Sequence, residues 1–162
     1  MKFAKVRDVK SPERGTEKSA GIDFFIPNDF VKTSVNPGED ILIPSGIKAK
    51  LPEHYMLMAA EKSGVVTSKQ ACEKAGRKPK QGAFSSIIII GAKIVDGDYQ
   101  GEIHIHLINV GKDAVTLYPG MKIAQFILVP VLYDELEECL EEELFKEVSD
   151  RGDGGFGSTG SE

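Results

Sequence analysis

The sequence predicts an all-β sandwich or barrel. Three observations point there: short runs of β-type residues, Pro, Gly and Asn punctuation between them, and little helical periodicity. Residues 21–26 (GIDFFI) end at Pro27, residues 41–43 (ILI) at Pro44, and residues 46–51 (GIKAKL) at Pro52. Residues 55–60, 87–90, 102–109, 115–117 and 123–131 supply the later candidates. Residues 102–107 (EIHIHL) alternate in polarity, as a strand with one buried face requires.

Two segments depart from this pattern. Residues 68–81 (SKQACEKAGRKPKQ) are polar and basic, with helix formers up to Ala75 and then Gly76 and Pro79, so they read as a short helix and an exposed loop. Residues 134–148 (DELEECLEEELFKEV) set Leu136, Leu140 and Leu144 on one stripe at i, i+4, i+8, which favours an acidic helix over a final strand flanked by coil. Residues 150–162 (DRGDGGFGSTGSE) have one large apolar side chain and five glycines. Such a stretch cannot order itself alone, and its Arg, Phe, Ser and Thr set suits an arm that folds on a ligand. The organisation is therefore a β domain over residues 1–149, an insertion at about 68–82, and a flexible arm over 150–162.

Composition narrows the function classes. At 162 residues, 41% hydrophobic and 28% charged, the chain suits one soluble domain. A net charge of −5 disfavours binding nucleic acid through a basic face. It leaves room for a small anionic ligand held by a few cations. Cys72 and Cys139 share no CxxC spacing, which reads as a reduced, cytoplasmic protein. The start, MKFAKVRDVK, has no apolar h-region, and the longest aliphatic run, residues 87–90, is too short to cross a membrane.

Individual motifs carry unequal weight. Gly152-Asp-Gly154-Gly-Phe-Gly157 matches GxGxxG formally but lacks the strand before and the helix after that dinucleotide binding needs. No GxxxxGK[ST] occurs. His104 and His106 share a strand face, and His54 could complete a metal set, but a packed or solvated face is the commoner meaning of such a pair. Residues 95–102 (VDGDYQGE) place two carboxylates and a phenol beside glycines. That is either a plain Asp-Gly hairpin turn or a carboxylate poised over an aromatic platform.

Five segments taken in order are more specific: Ala20-Gly-Ile-Asp-Phe-Phe, Lys62-Ser-Gly, Gly91-Ala-Lys-Ile-Val-Asp-Gly-Asp-Tyr-Gln-Gly-Glu-Ile, Gly120-Met-Lys-Ile-Ala-Gln and Arg151-Gly-Asp-Gly-Gly-Phe-Gly-Ser-Thr-Gly. This series resembles the five signature motifs of the trimeric dUTPase family, from about residue 19 to 160. The resemblance implies a jelly-roll-like β domain in a homotrimer, with each active site built by more than one subunit. It implies hydrolysis of dUTP to dUMP and pyrophosphate by water attack on the α-phosphorus, with Mg2+ carried by the triphosphate.

Residue by residue, the resemblance makes Asp96 the base that activates water. Asp23 would hold Mg2+ through water. Lys62, Ser63 and Gly64 would contact phosphate oxygens, and Gln125 the phosphate near the scissile bond. Tyr99 would lie against the deoxyribose and exclude a 2′-hydroxyl. Backbone groups of the hairpin leading into Asp96, Ile94 among them, would read uracil. In the arm, Arg151, Ser158 and Thr159 would grip the γ-phosphate, while Phe156, followed by Gly157, would stack over the base.

The chain departs from the family pattern at three places. Ile90 stands where an Asn is common, Lys93 where a small residue is usual, and residues 68–82 lengthen the Ser63–Asp96 interval. That insertion could serve as a surface for a protein partner. Two rivals stand beside the hydrolase: a dCTP deaminase of the same fold, and a protein-binding module switched by nucleotide. A deaminase carries a catalytic Glu at the position of His106, which this chain lacks.

Overall fold

The computed structural model describes residues 1–61, 86–145, 147, 149–150 and 152. The chain divides into two units, Met1–Leu132 and Tyr133–Glu162. In the first unit twelve strands follow one another: β1 (Lys2–Lys5), β2 (Glu13–Arg14), β3 (Gly21–Phe25), β4 (Thr33–Val35), β5 (Asp40–Pro44), β6 (Ile47–Lys50), β7 (Tyr55–Glu61), β8 (Ile88–Ile90), β9 (Ile94–Val95), β10 (His104–Asn109), β11 (Val115–Leu117) and β12 (Lys122–Pro130). They assemble into a five-stranded sheet ordered β2-β3-β12-β7-β9, a three-stranded sheet β5-β10-β8, and the ribbons β1-β6 and β11-β4. Every pairing is antiparallel. This is the all-β architecture expected from the turn-punctuated runs.

The core follows from strand alternation. In β10 the residues Ile105, Leu107 and Asn109 are buried, while His104 is exposed and His106 half-buried. The buried set includes Phe24, Ile43, Leu57, Ile88, Ile103, Leu117, Ile123 and Phe126, drawn from both larger sheets and the ribbons. Phe24 and Phe126 meet with ring centroids 4.4 Å apart and planes tilted by 47°. Such aromatic pairs contribute beyond the area they bury. They fix β3 against β12, which positions the polar residues between them.

Eight expected strands are present, with ends displaced by at most two residues. Four others, β1, β2, β4 and β9, left little trace in the sequence. β1 reads KFAK and is exposed throughout, so it has no hydrophobic period to detect.

The second unit corrects one expectation. Residues 134–140 have no regular structure, and the only helical turn described there is α1 (Glu141–Leu144). The intended stripe is unburied: Leu136 is fully exposed, and Leu140 and Leu144 are more than half exposed. Amphipathic helices owe most of their stability to packing of the apolar face, and here that packing is missing within the unit. Glu141, Glu142 and Glu143 occupy the first turn, where the helix dipole favours negative charge. The expected helix and loop at residues 68–81 lie outside the described residues.

Candidate functional site

Two groups of candidate side chains occupy different parts of the five-stranded sheet. The first lies on β3 and β12, where Asp23 and Gln125 are register partners. Asp23 is 4% exposed, and its carboxylate meets Lys122 Nζ at 2.7 Å. The same ammonium lies 3.4 Å from Glu13 on β2. The hydrogen bond from Lys122 to Asp23 is the main cause raising the Lys122 pKa. Gln125 Nε2 donates to the carbonyl of Glu61 at 3.0 Å. Gly21 makes room for this arrangement, because a Cβ there would run into the Gln125 amide.

The second group lies at β9 and on the turn after it, together the β9 loop; β9 pairs with β7 and not with β10. Asp96 is exposed, and its carbonyl accepts the Tyr99 N–H at 3.2 Å, closing the turn. The Asp-Gly signal therefore does mark a turn. Tyr99 is 45% exposed and donates its hydroxyl proton to the Glu102 carbonyl at 3.0 Å. Glu102 anchors the far end of the loop, since its Oε1 accepts from Arg7 Nε at 2.9 Å and Gly46 N–H at 2.7 Å. Ile94 is 54% exposed in the same loop. A cleft of about 640 Å³ runs between Tyr99 and the β1-β6 ribbon, flanked by Lys2, Lys48 and Lys50. Its lining includes Tyr99 and Asp98, but not Asp96, Asp23 or Gln125.

Register shows how far apart the two groups are within one chain. Gln125 pairs with Asp23 on one side and Ala60 on the other, whereas Val95 pairs with Leu57. Asp96 is thus four residues along and three strands across from Asp23. At about 3.4 Å per residue and about 4.8 Å per strand, their backbones lie roughly 20 Å apart. One chain does not bring Asp96 to Asp23 and Gln125.

Lys62, Ser63, Gly64, Arg151, Phe156, Gly157, Ser158 and Thr159 lie outside the described residues, as does the insertion at 68–82. Among the described residues no three His, Cys, Asp or Glu side chains gather into a metal site. His104 and His106 do share a face, and each is engaged: His104 Nδ1 with the Glu102 carbonyl at 2.9 Å, and His106 Nε2 with Asp40 at 2.9 Å. Asp23 alone suits a hard cation only if that cation arrives with other oxygen ligands, as magnesium does on a triphosphate.

Two residues near these groups, Lys122 and Glu61, escaped the sequence reading, and His106 was noted there for other reasons. Lys122 stood inside the Gly120-Met-Lys-Ile-Ala-Gln motif, yet only the pairing of β3 with β12 shows that it meets Asp23. Glu61 on β7 and His106 on β10 contact Ile90 and Ala92, ahead of β9, and no sequence spacing links them to that segment.

Comparisons with known proteins bear on the family and the fold. The dUTPase family model matches residues 63–160. The deoxyuridine 5'-triphosphate nucleotidohydrolase of Clostridium acetobutylicum is 34% identical over 161 residues, covering 99% of this chain and 96% of the relative. A mutant dUTPase of Staphylococcus bacteriophage 80alpha, solved with dUpNHpp, shares the fold at TM-score 0.74 and 21% identity, covering 98% of this chain and 97% of that one. A mutant dUTPase from phage phi11 of S. aureus, described with a structural Mg(II) ion, matches at TM-score 0.67 and 19% identity over 88% of this chain and 98% of that one. With its motifs in family order, a family model over more than half its length and a relative spanning nearly all of it, the chain belongs to the dUTPase family.

Proposed function

We propose that this protein hydrolyses dUTP to dUMP and pyrophosphate, with Asp96 as the general base. The carrying observation is the placement of Asp96: an exposed carboxylate at the end of β9, on a turn pinned at its far end by Glu102, in a chain of the dUTPase family. An ionised, water-accessible carboxylate can take the proton of an attacking water. The water oxygen forms a bond to the α-phosphorus as the bond from that phosphorus to the bridging oxygen breaks. The proton passes to Asp96, and pyrophosphate leaves.

The other residues bind and orient. Gln125 is fixed by Glu61 and Gly21 beside Asp23, which suits it to the phosphate next to the scissile bond. Ser63, with Lys62 and the backbone at Gly64, would hold phosphate oxygens, and Lys62 supplies charge without the bidentate fork of an arginine. Arg151, Ser158 and Thr159 would hold the γ-phosphate as the arm closes, with Phe156 and Gly157 over uracil. Tyr99 would exclude ribonucleotides, because a buried hydroxyl without a partner is costly. Mg2+ entering on the triphosphate would neutralise charge on the departing pyrophosphate, and Asp23 is the residue to hold it through water.

The separation of roughly 20 Å between Asp96 and Asp23, from strand spacings, supports a site shared between copies of the chain. A homotrimer is the assembly proposed, acting in the cytoplasm. Among the described residues no helix is long and apolar enough to cross a membrane. A protein partner at the 68–82 insertion is a further part of the proposal, tested by co-purification with and without that segment.

The deciding experiment measures pyrophosphate and ammonia release from dUTP, dCTP, dTTP and UTP, with magnesium and with excess EDTA. Magnesium-dependent pyrophosphate from dUTP alone is expected. Ammonia from dCTP would move the chain to the deaminases, and silence on every nucleotide would favour the binding module.

A further inference from the structure

Residues 91–93 carry the chain from β8 in the three-stranded sheet to β9 in the five-stranded sheet before it reaches Asp96, and much of what holds this arm comes from two residues elsewhere. Glu61 Oε1 accepts the Ile90 N–H at 3.2 Å and Lys93 Nζ at 2.9 Å. His106 accepts the Gly91 N–H on its carbonyl at 3.0 Å and the Ala92 N–H on Nδ1 at 3.2 Å. Three consecutive amide donors are thus turned toward Glu61 and His106. The Lys93 carbonyl in turn accepts the Ala59 N–H at 2.7 Å. Gly91 lets the arm lie this close, since a Cβ there would overlap the His106 ring.

The hydrogen-bond pattern fixes the state of the ring. Nδ1 accepts from an amide, so the proton of the neutral imidazole is on Nε2, which donates to Asp40 Oδ2 at 2.9 Å. Asp40 on β5 therefore orients His106 on β10, and His106 holds Ala92. On the opposite side Glu61 joins the arm to β12, because its own carbonyl accepts from Gln125. One residue touches both this arm and the glutamine proposed to face phosphate.

We propose that Glu61 and His106 are positioning residues that clamp residues 90–93 and thereby set base selectivity. This rests on the reading of the chain as a dUTP hydrolase whose backbone leading into Asp96 accepts uracil. Ile90 cannot offer a base a side-chain hydrogen bond, so selection at this arm depends on where its backbone is held. A clamped arm leaves a fixed space beside C5 of the pyrimidine. A loosened arm yields to the methyl group of thymine.

Paired substitutions separate positioning from packing. An Asn amide oxygen takes the place of Nδ1, while a Gln amide nitrogen takes the place of Nε2. H106N therefore keeps the bond to Ala92 and loses Asp40, and H106Q does the reverse. The dUTP over dTTP ratio of kcat/KM is measured for wild type and both variants, with amide hydrogen exchange at Ile90 and Ala92. H106Q is expected to lower the ratio about tenfold, the scale of a single methyl group in a snug pocket, through KM and not kcat. Its Ala92 amide should exchange about tenfold faster, as local opening becomes easier. H106N should hold both values near wild type, and E61A should speed exchange at Ile90 and lower the ratio as well.

Equal losses in H106N and H106Q would reduce His106 to a packing role and overturn its part of the clamp. An unchanged ratio in both H106Q and E61A would overturn the whole. Wild type that releases no pyrophosphate from dUTP would instead refute the hydrolase reading, while the exchange measurements would still decide whether the clamp exists.

Discussion

The strip formed by β3 and β12 and the loop at β9, with the segment leading into it and the turn that follows, are built on opposite principles. The strip is buried: Asp23 is 4% exposed, its carboxylate is ion-paired with Lys122, and the Phe24–Phe126 contact locks the two strands beside it. The loop is open. Asp96 and Tyr99 are exposed, and β9 has only two residues of regular pairing. Groups proposed only to hold a ligand are set in place by the fold of one chain. The group proposed as the base is presented outward, where the proposed substrate and second copy of the chain would meet it.

The largest effect that would test this division is at Asp96. D96N keeps the shape of the side chain and removes the base, so turnover should fall about 1,000-fold, within the usual range for general bases. Binding of a non-hydrolysable dUTP analogue should persist, because the strip is untouched. Calorimetric titration beside a pyrophosphate assay checks both halves, and undiminished turnover would retire Asp96 as the base.

Removal of residues 150–162 should come next. The arm is proposed to grip the γ-phosphate and shield the reaction, and misplacing a bound substrate costs on the order of 100-fold. The melting temperature should hold, since the buried core lies in residues 9–126. Full activity in the shortened chain would show that the arm is no lid.

K122M strikes the strip. It removes the ammonium 2.7 Å from the Asp23 carboxylate while conserving most of the apolar stem. Hydrogen bonds to charged groups contribute about 1.5–3 kcal/mol. The Lys122 side chain is 35% exposed, and that solvent contact brings the expected loss toward about 1 kcal/mol. The denaturation midpoint reports it. A drop in dUTP affinity without any loss of stability would instead place Lys122 on the ligand.

How much of this could be read from the sequence depended on the range of the interaction. Strands with an alternating buried face, such as β10, announce themselves over a few residues. β1 and β9 do not, because they are held by partners distant in the chain and bury little of their own. Asp23, Gln125, Asp96 and Tyr99 were singled out as candidates through their motifs, but their separation could not be found that way. It emerges only when Val95 is matched to Leu57 and Gln125 to Ala60. The stripe of Leu136, Leu140 and Leu144 misled for the converse reason: a local period favours a helix only when something covers it.

The smallest expected effect tests whether residues 90–93, which lead into β9, are held by charge. Partial burial is the largest single influence on the Glu61 carboxyl and pushes its pKa up. The bonds from Lys93, the Glu61 backbone and Ile90 together outweigh it and hold the pKa below the ordinary 4.5. A depressed folded pKa means the charged form is favoured by folding. The stabilisation is therefore complete above pH 4.5 and is lost as the pH falls through the lower, folded value. E61Q keeps an acceptor for Ile90 but has no charge for Lys93, so it should be less stable than wild type at neutral pH, by less than about 1 kcal/mol. The gap should close in acid, because the protonated Glu61 carboxyl and the amide of the variant are then both uncharged. Denaturation midpoints at pH 7, 5 and 3 read this directly. A gap that persists at the lowest pH would mean that shape rather than charge secures residues 90–93, and the contrast between a buried strip and a charge-held approach to β9 would narrow accordingly.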